Sequence, residues 1–370
     1  MLSISGADFF GAGISGAFWF ILATLILPEK FGEIHYFIGI AGLAYGLSLI
    51  GSSDVLSVYV AKKIQLQSTL GLLSLIIGTI SAIVVIVLFT RIDVSFLLIA
   101  FIVNDLAIGY LLGKKLFVRY SKYVLTQKCL TLTLGISFYF ILGPDWIIYA
   151  LALSYIHFSI IVYKIFKSSK IDMSVLKSRA GFVGNNYLMK ILTIVRSQAD
   201  KIIIVPLIGF EILGNYVLAL QIMTVLMIFP SIIYKYTLPH DASGVETKRI
   251  KIMALVGAVG LSILGITLIP VILPDIFPKY SEAGTAIQIV SIAIIPGTIT
   301  QFYTSKFLGM EKSKMILISR ILMAATIIVG ILLLAPTFKI IGASVAFVLS
   351  SLVETIFLVS SYHLWIKKPV

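Results

Sequence analysis

Runs of about twenty apolar residues, separated by short polar stretches, follow one another along almost the whole chain. Within each run the apolar residues are continuous rather than alternating, and a run of that length spans the hydrocarbon core of a bilayer as a helix. Read this way, the pattern predicts twelve spans, roughly 6–27, 34–53, 70–90, 94–113, 123–142, 146–163, 181–206, 212–234, 252–272, 284–304, 315–335 and 341–362. The seventh departs from the others. Along Asn185–Ile204 it carries Asn185, Asn186, Lys190, Thr193, Arg196, Ser197, Asp200 and Lys201. At 100° per residue these fall on one arc of roughly 160°. A charge at bilayer depth costs about 2.5–3.5 kcal/mol on insertion scales and nearly always faces an interior or a wet cavity. One face of this helix therefore calls for water, a ligand or partner charges; Arg196 and Asp200 are also spaced to pair with each other.

Composition agrees with the pattern. Of 370 residues 59% are hydrophobic and 12% charged, with mean hydropathy +1.08. A chain so apolar has the bilayer as its solvent, and there the backbone must satisfy its own hydrogen bonds, so an all-α polytopic membrane protein is expected. The net charge of +13 does not point to nucleic acid, because the basic residues are concentrated in connections on one side. With twelve spans, 20 Lys and Arg fall on one side, among them Lys235, Lys367 and Lys368. Only 4 fall on the other: Lys30, Arg91, Lys279 and Lys339. This split places both termini in the cytoplasm of a multi-pass protein of the cell membrane and brings the basic loops to anionic lipid. No Lys or Arg precedes the first run, so that run reads as a retained helix and not a cleaved signal. The single Cys129 and four scattered histidines give neither a disulfide nor a metal site, and no cofactor is expected.

The connections are too short for an extramembrane domain. Residues 169–180 divide the chain into six-helix lobes, 1–168 and 181–370. Internal repetition supports the division: Ser121–Lys122, Lys128 and Pro144 recur as Ser313–Lys314, Arg320 and Pro336, and Glu29 and Gly32 recur as Glu211 and Gly214. Six is even, so the lobes would share orientation about a pseudo-two-fold axis along the membrane normal. Four further charges lie deep inside spans. Asp105 and Lys128 share a depth in the first lobe, as do Arg320 and Glu354 in the second. They read as intramembrane partners, with Asp105 and Glu354 also candidates for coupling to H+ or Na+. Pro230 and Pro296 are expected to bend the eighth and tenth spans.

Several stretches resemble one family. Leu25–Phe37 (LILPEKFGEIHYF) is similar to the first outer turn of polysaccharide and O-antigen flippases. Ser197–Met223 resembles that family's seventh and eighth helices, and LPDIFPKYSEAG, FLGMEKSK and IIGASVAFVLSSLVE resemble later segments in the same order. The family belongs to the superfamily that also holds multidrug exporters and the peptidoglycan-precursor flippase. The resemblance implies two lobes around a cavity opened alternately to either face, and movement of a polyprenyl-linked oligosaccharide from the inner to the outer leaflet. Many members carry fourteen helices and a basic N-terminal segment, whereas this sequence supplies twelve runs and only Asp8 in its first eight residues. How a lipid tail is accommodated without helices thirteen and fourteen is therefore a question the resemblance raises.

On this reading Lys190, Arg196 and Lys201 meet a lipid pyrophosphate, whose oxygens suit ammonium and guanidinium donors. Asn186 lines the cavity, and Asp200 orients Arg196 or closes a gate. Membrane lipids and glycan-assembly proteins are the expected partners, and twin lobes make a monomer self-sufficient. Two other classes make different demands on the sequence. A cation-coupled multidrug exporter of the same fold would favour an acidic cavity. A membrane enzyme acting on glycans would need a cluster of catalytic side chains that the sequence does not display.

Overall fold

The computed structural model describes residues 2–242, 247–310 and 312–365; Lys367 and Lys368 lie outside the described residues, as does the side chain of Lys235. Among the described residues there is no strand. The helices are α1 (Leu2–Leu25), α2 (Pro28–Ser48), α3 (Ser53–Ala61), α4 (Gln67–Phe89), α5 (Ile92–Gly113) and α6 (Phe117–Leu142). Then follow α7 (Ile147–Leu153), α8 (Ser159–Ser168), α9 (Met173–Lys177), α10 (Ala180–Ile208), α11 (Phe210–Leu226) and α12 (Ile228–Ala242). The chain ends with α13 (Lys248–Thr267), α14 (Ile269–Ile276), α15 (Ala283–Val290), α16 (Ile294–Gly309) and α17 (Ser313–Trp365).

Each predicted run is largely helical, although the second, 34–53, breaks at 49–52 between α2 and α3. By length and composition nine helices among the described residues can cross a bilayer, or ten when the bent pair α11–α12 is one span. The charges on α10 keep it out of that count. α17 enters it once, although its 53 residues are two helices merged across Lys339, whose φ of 48° and ψ of −125° are not helical. Large apolar side chains are turned outward along these helices, including Val87, Ile141, Val271 and Leu333, each at least 70% exposed. Such surface is stable against hydrocarbon and unfavourable against water.

The breaks have local causes. Gly143 and Gly209 end α6 and α10 with φ near +90°, a region glycine enters without steric cost. The bend of 45° between α11 and α12 follows from Pro230, whose ring excludes a helical bond to the carbonyl four residues back, that of Leu226. Pro296 stands in the first turn of α16, just after the 3-10 turn Ser291–Ala293. The predicted sixth span is more broken than its sequence suggests, with 3-10 turns at Pro144–Trp146 and Ile156–Phe158.

The chain forms two compact units. Unit 1 comprises Met1–Leu25 and Phe37–Gln198; unit 2 comprises Ile26–Tyr36 and Ala199–Val370. In unit 1, α1 lies along α6, and α5 is the central helix, packed by α3, α4, α7 and α8. Leu97, Leu98, Ile102 and Leu106 of α5 are fully enclosed. In unit 2, α16 packs on α12, α13 and α17, and α11 on α15. Residues 26–36 join unit 2 through a close backbone crossing. A Cβ on Gly32 would overlap the carbonyl oxygen of Phe210, and one on Gly214 would overlap that of Pro28.

Candidate functional site

In unit 1 the first part of α10 brings Lys190 to Asp105 on α5. The ammonium nitrogen is 3.2 Å from Asp105 Oδ1. The same oxygen accepts from the Tyr45 hydroxyl at 2.8 Å and from Ser53 Oγ at 3.2 Å, while Oδ2 accepts from the Ser53 backbone N–H at 2.5 Å. Asp105 is 7% exposed, so these donors replace water. A carboxylate at that depth is tolerated because a cation, a hydroxyl and the N-terminal N–H of α3 converge on it. Small residues make the convergence possible. Gly109 and Gly113 follow Asp105 at intervals of four on one face of α5. A Cβ on Gly109 would stand 2.8 Å from Ser53 Cα, and one on Gly113 would stand 2.7 Å from Val60 Cβ. The stripe Asp105–Gly109–Gly113 therefore draws α3 against α5 and sets Ser53 on the carboxylate.

In unit 2 the end of α10 carries a second buried acid. Asp200, 5% exposed, accepts from its neighbour's backbone N–H at 2.8 Å, from Lys201 Nζ at 3.4 Å and from the buried Tyr216 hydroxyl at 3.4 Å. Beside it in the same unit, His35 is buried and shares a 3.2 Å contact between its Nε2 and Gln221 Nε2. Both lysines of the α10 arc thus stand on carboxylates, at distances longer than the 2.7–2.9 Å usual for a charge-assisted bond. Arg196 is half-buried. The Asn186 side-chain amide donates to the Phe182 carbonyl at 2.8 Å, one turn back on its own helix.

One expected pair sorts differently from the sequence expectation. Asp105 is met by Lys190 and not by Lys128. The Lys128 stem lies across α1, where a Cβ on Gly11 would be 3.3 Å from its Cγ. Glu354 is buried on α17 next to Thr355, and Arg320 lies within electrostatic reach of Tyr234. Tyr45, Ser53 and His35 were not anticipated. The four-residue spacing of Asp105, Gly109 and Gly113 is the signal that identifies the α3–α5 contact in advance. No group of three or more His, Cys, Asp or Glu side chains suited to a metal ion occurs among the described residues.

At the end of α12, Asp241 accepts from Lys251 Nζ at 2.6 and 2.7 Å, from Ser305 at 2.6 Å and from Thr247 at 2.8 Å. Burial pushes its carboxyl up, but the bonds from Lys251, Ser305 and Thr247 outweigh burial and hold it below the ordinary value. A carboxyl depressed in the folded state contributes stability above its unfolded pKa and loses it as pH falls through the folded one. Asp241→Asn is therefore expected to lower the unfolding midpoint at neutral pH and to flatten its decline in the acid range, as a thermal-melt series in detergent would show.

No family model matches the chain, and no curated protein does. Solved structures do. The lipid II flippase MurJ in an inward closed conformation superposes with a TM-score of 0.77 and 12% identity, covering 98% of this chain and 88% of that one. An inward-facing multidrug resistance MATE family transporter of the MOP superfamily gives 0.66 and 15%, covering 95% and 94%. Its outward-facing form gives 0.62 and 15%, covering 98% and 94%. The chain has the MATE and MurJ fold. These neighbours are transporters and a flippase, not enzymes, and at such identities they share architecture with the chain and not side-chain chemistry. The MATE and MurJ fold accounts for the all-helical build.

Proposed function

We propose that the chain is a membrane transporter that moves a polyprenyl-linked oligosaccharide from the cytoplasmic to the outer leaflet by alternating access, as a step in surface glycan assembly. In this reading twelve crossings form lobes 1–168 and 181–370 about the linker 169–180, with both termini cytoplasmic. The observation that carries it is the placement of Lys190 of α10 at 3.2 Å from the buried Asp105 of α5, on the helix that also bears Arg196 and Lys201. An ammonium has three donors, and the 3.2 Å contact of Lys190 leaves that ammonium able to meet the oxygens of a pyrophosphate. Asp200 orients the basic residues of α10, and Glu354 and Asp105 are the acids available for coupling to H+ or Na+.

Arg196→Ala is expected to abolish transport while leaving protein level and membrane insertion unchanged. In a deletion strain the lipid-linked glycan should accumulate on the cytoplasmic leaflet; an unchanged pool and unchanged surface glycan would refute the proposal. The second reading, cation-coupled export of small amphipathic compounds, draws on the buried Asp105 with its Tyr45 and Ser53 donors. It predicts drug efflux that collapses with the proton or sodium gradient and fails in Asp105→Asn.

A further inference from the structure

Where α3 and α5 end in unit 1, two turns carry the same pair of residues. α3 closes on Lys62 and Lys63, and α5 closes on Lys114 and Lys115. In each turn the N–H of the next residue, Ile64 or Leu116, bonds back to the carbonyl five residues earlier, of Tyr59 or Leu111, at 2.9 Å. The second lysine of each pair, Lys63 and Lys115, has φ of 58°. That left-handed region closes many helices, and glycine enters it without steric cost. A lysine does not, so the turn itself gains nothing from either side chain. The two turns are neighbours, because α3 packs along α5 and a Cβ on Gly113 would be 2.7 Å from Val60 Cβ. All four lysines are exposed, and the Lys114 ammonium stands 5.7 Å over the Tyr110 ring. Directly after them come Leu116, Phe117 and Val118, which are exposed as well.

Four ammonium groups on adjacent turns repel one another, and unit 1 offers little to offset them. Each helix C-terminus supplies about half a negative charge, so the two together answer about one of the four. Unit 1 has six acids: Asp8, Asp54, Asp93, Asp105, Asp145 and Asp172. Asp93 and Asp105 pair with Arg91 and Lys190, Asp172 caps α9, and Asp8 accepts from Tyr120. Asp54 lies in the first turn of α3, at the opposite end from Lys62, and Asp145 follows the far end of α6. Among the described residues none of the four lysines is in an ion pair. The ends of membrane-crossing helices put this charge at headgroup depth, on the side that the asymmetry of Lys and Arg assigns to the cytoplasm and its anionic leaflet. We propose that the paired turns bind the phosphate headgroup of an anionic phospholipid of that leaflet, with Lys62, Lys63, Lys114 and Lys115 as its cations and Leu116, Phe117 and Val118 against its acyl chains. A soluble anion would have no use for that apolar run. The site lies within unit 1 and does not depend on what the protein transports.

The test uses the full-length protein purified in detergent, with lipid adducts counted by native mass spectrometry and stability followed by thermal melts. The probes are phosphatidylglycerol, phosphatidylcholine, inorganic phosphate and a glutamate-rich peptide. Wild type is expected to bind phosphatidylglycerol and to discriminate against phosphatidylcholine, which bears the same phosphate but no net charge. K63G/K115G removes two charges and puts glycine where the backbone favours it. It should melt close to wild type without lipid, yet bind phosphatidylglycerol about thirtyfold more weakly, from roughly one charge interaction per lysine at the membrane surface. K63R/K115R should retain the affinity. So should K312Q/K314Q, an equal loss of charge in unit 2 on the same side of the membrane. Equal binding by wild type and K63G/K115G would overturn the proposal. Equal weakening by K312Q/K314Q would make the attraction a property of the whole basic face and overturn the site. Failure of wild type to prefer phosphatidylglycerol over phosphatidylcholine would overturn it with no variant needed. Inorganic phosphate or the peptide bound as tightly as phosphatidylglycerol would replace the lipid with a soluble phosphate or an acidic protein segment and overturn the lipid assignment.

Discussion

Asp105→Ala is expected to destabilise unit 1 by about 2–3 kcal/mol. Breaking a buried ion pair from one side costs about 3–5 kcal/mol, because the remaining charge is left without a partner. The lower figure applies because the Lys190 side chain is 22% exposed and regains some water. Part of the loss falls on the Ser53 N–H at the start of α3 and on the Tyr45 hydroxyl, which lose their shared acceptor. Lys190→Ala alone should cost less, since Asp105 keeps three donors. The double variant should be more stable than the two single losses would sum to, giving a coupling energy of about 1–2 kcal/mol in a double-mutant cycle. Unfolding in mixed micelles measures all four corners, and strict additivity would show that the 3.2 Å contact carries no energy.

Gly214→Leu and Gly32→Leu should each prevent unit 2 from assembling. The atoms a side chain would strike are backbone carbonyl oxygens, of Pro28 and Phe210 respectively, and backbone cannot swing aside as a flexible side chain can. The cost exceeds the 1–3 kcal/mol typical of overpacking. Even Ala at these positions places a Cβ on the opposing carbonyl. Gly260→Ala is the control, because nothing lies within 4 Å of the Cβ it would add, and a helical Gly→Ala change there should be neutral or mildly stabilising. Fluorescence-detected gel filtration of solubilised membranes separates the outcomes: aggregated or absent protein for the two leucine variants, a wild-type peak for Gly260→Ala.

That crossing was partly legible in the sequence. The recurrence of Glu29 and Gly32 as Glu211 and Gly214 marked matching positions, and the structure shows why both need glycine. The two segments pack reciprocally, each glycine against the carbonyl four residues before the other. The helices were legible because bilayer length and continuous apolarity dictate them. α2 begins six residues before the apolar run that predicts it, because Glu29, Lys30 and Glu33 interrupt the apolar pattern without interrupting the helix. Pro28 instead occupies the first helical position, where its missing N–H costs nothing, and Lys30 pairs with Glu33 at 2.6 Å. The partners of Asp105 were not legible. Lys128 shares its depth, but depth does not fix the azimuth about the helix axis. Lys190, 85 positions away, reaches Asp105 across helices, and no spacing in the sequence announces that contact.

The most direct test reconstitutes the purified protein in liposomes carrying a polyprenyl-pyrophosphate oligosaccharide on one leaflet and follows its appearance on the other with a membrane-impermeant lectin or glycosidase. Wild type is expected to expose the glycan at a rate well above protein-free vesicles, and Arg196→Ala to match those vesicles. Exposure by wild type no faster than by empty vesicles, under both a proton and a sodium gradient, would contradict the proposed translocation.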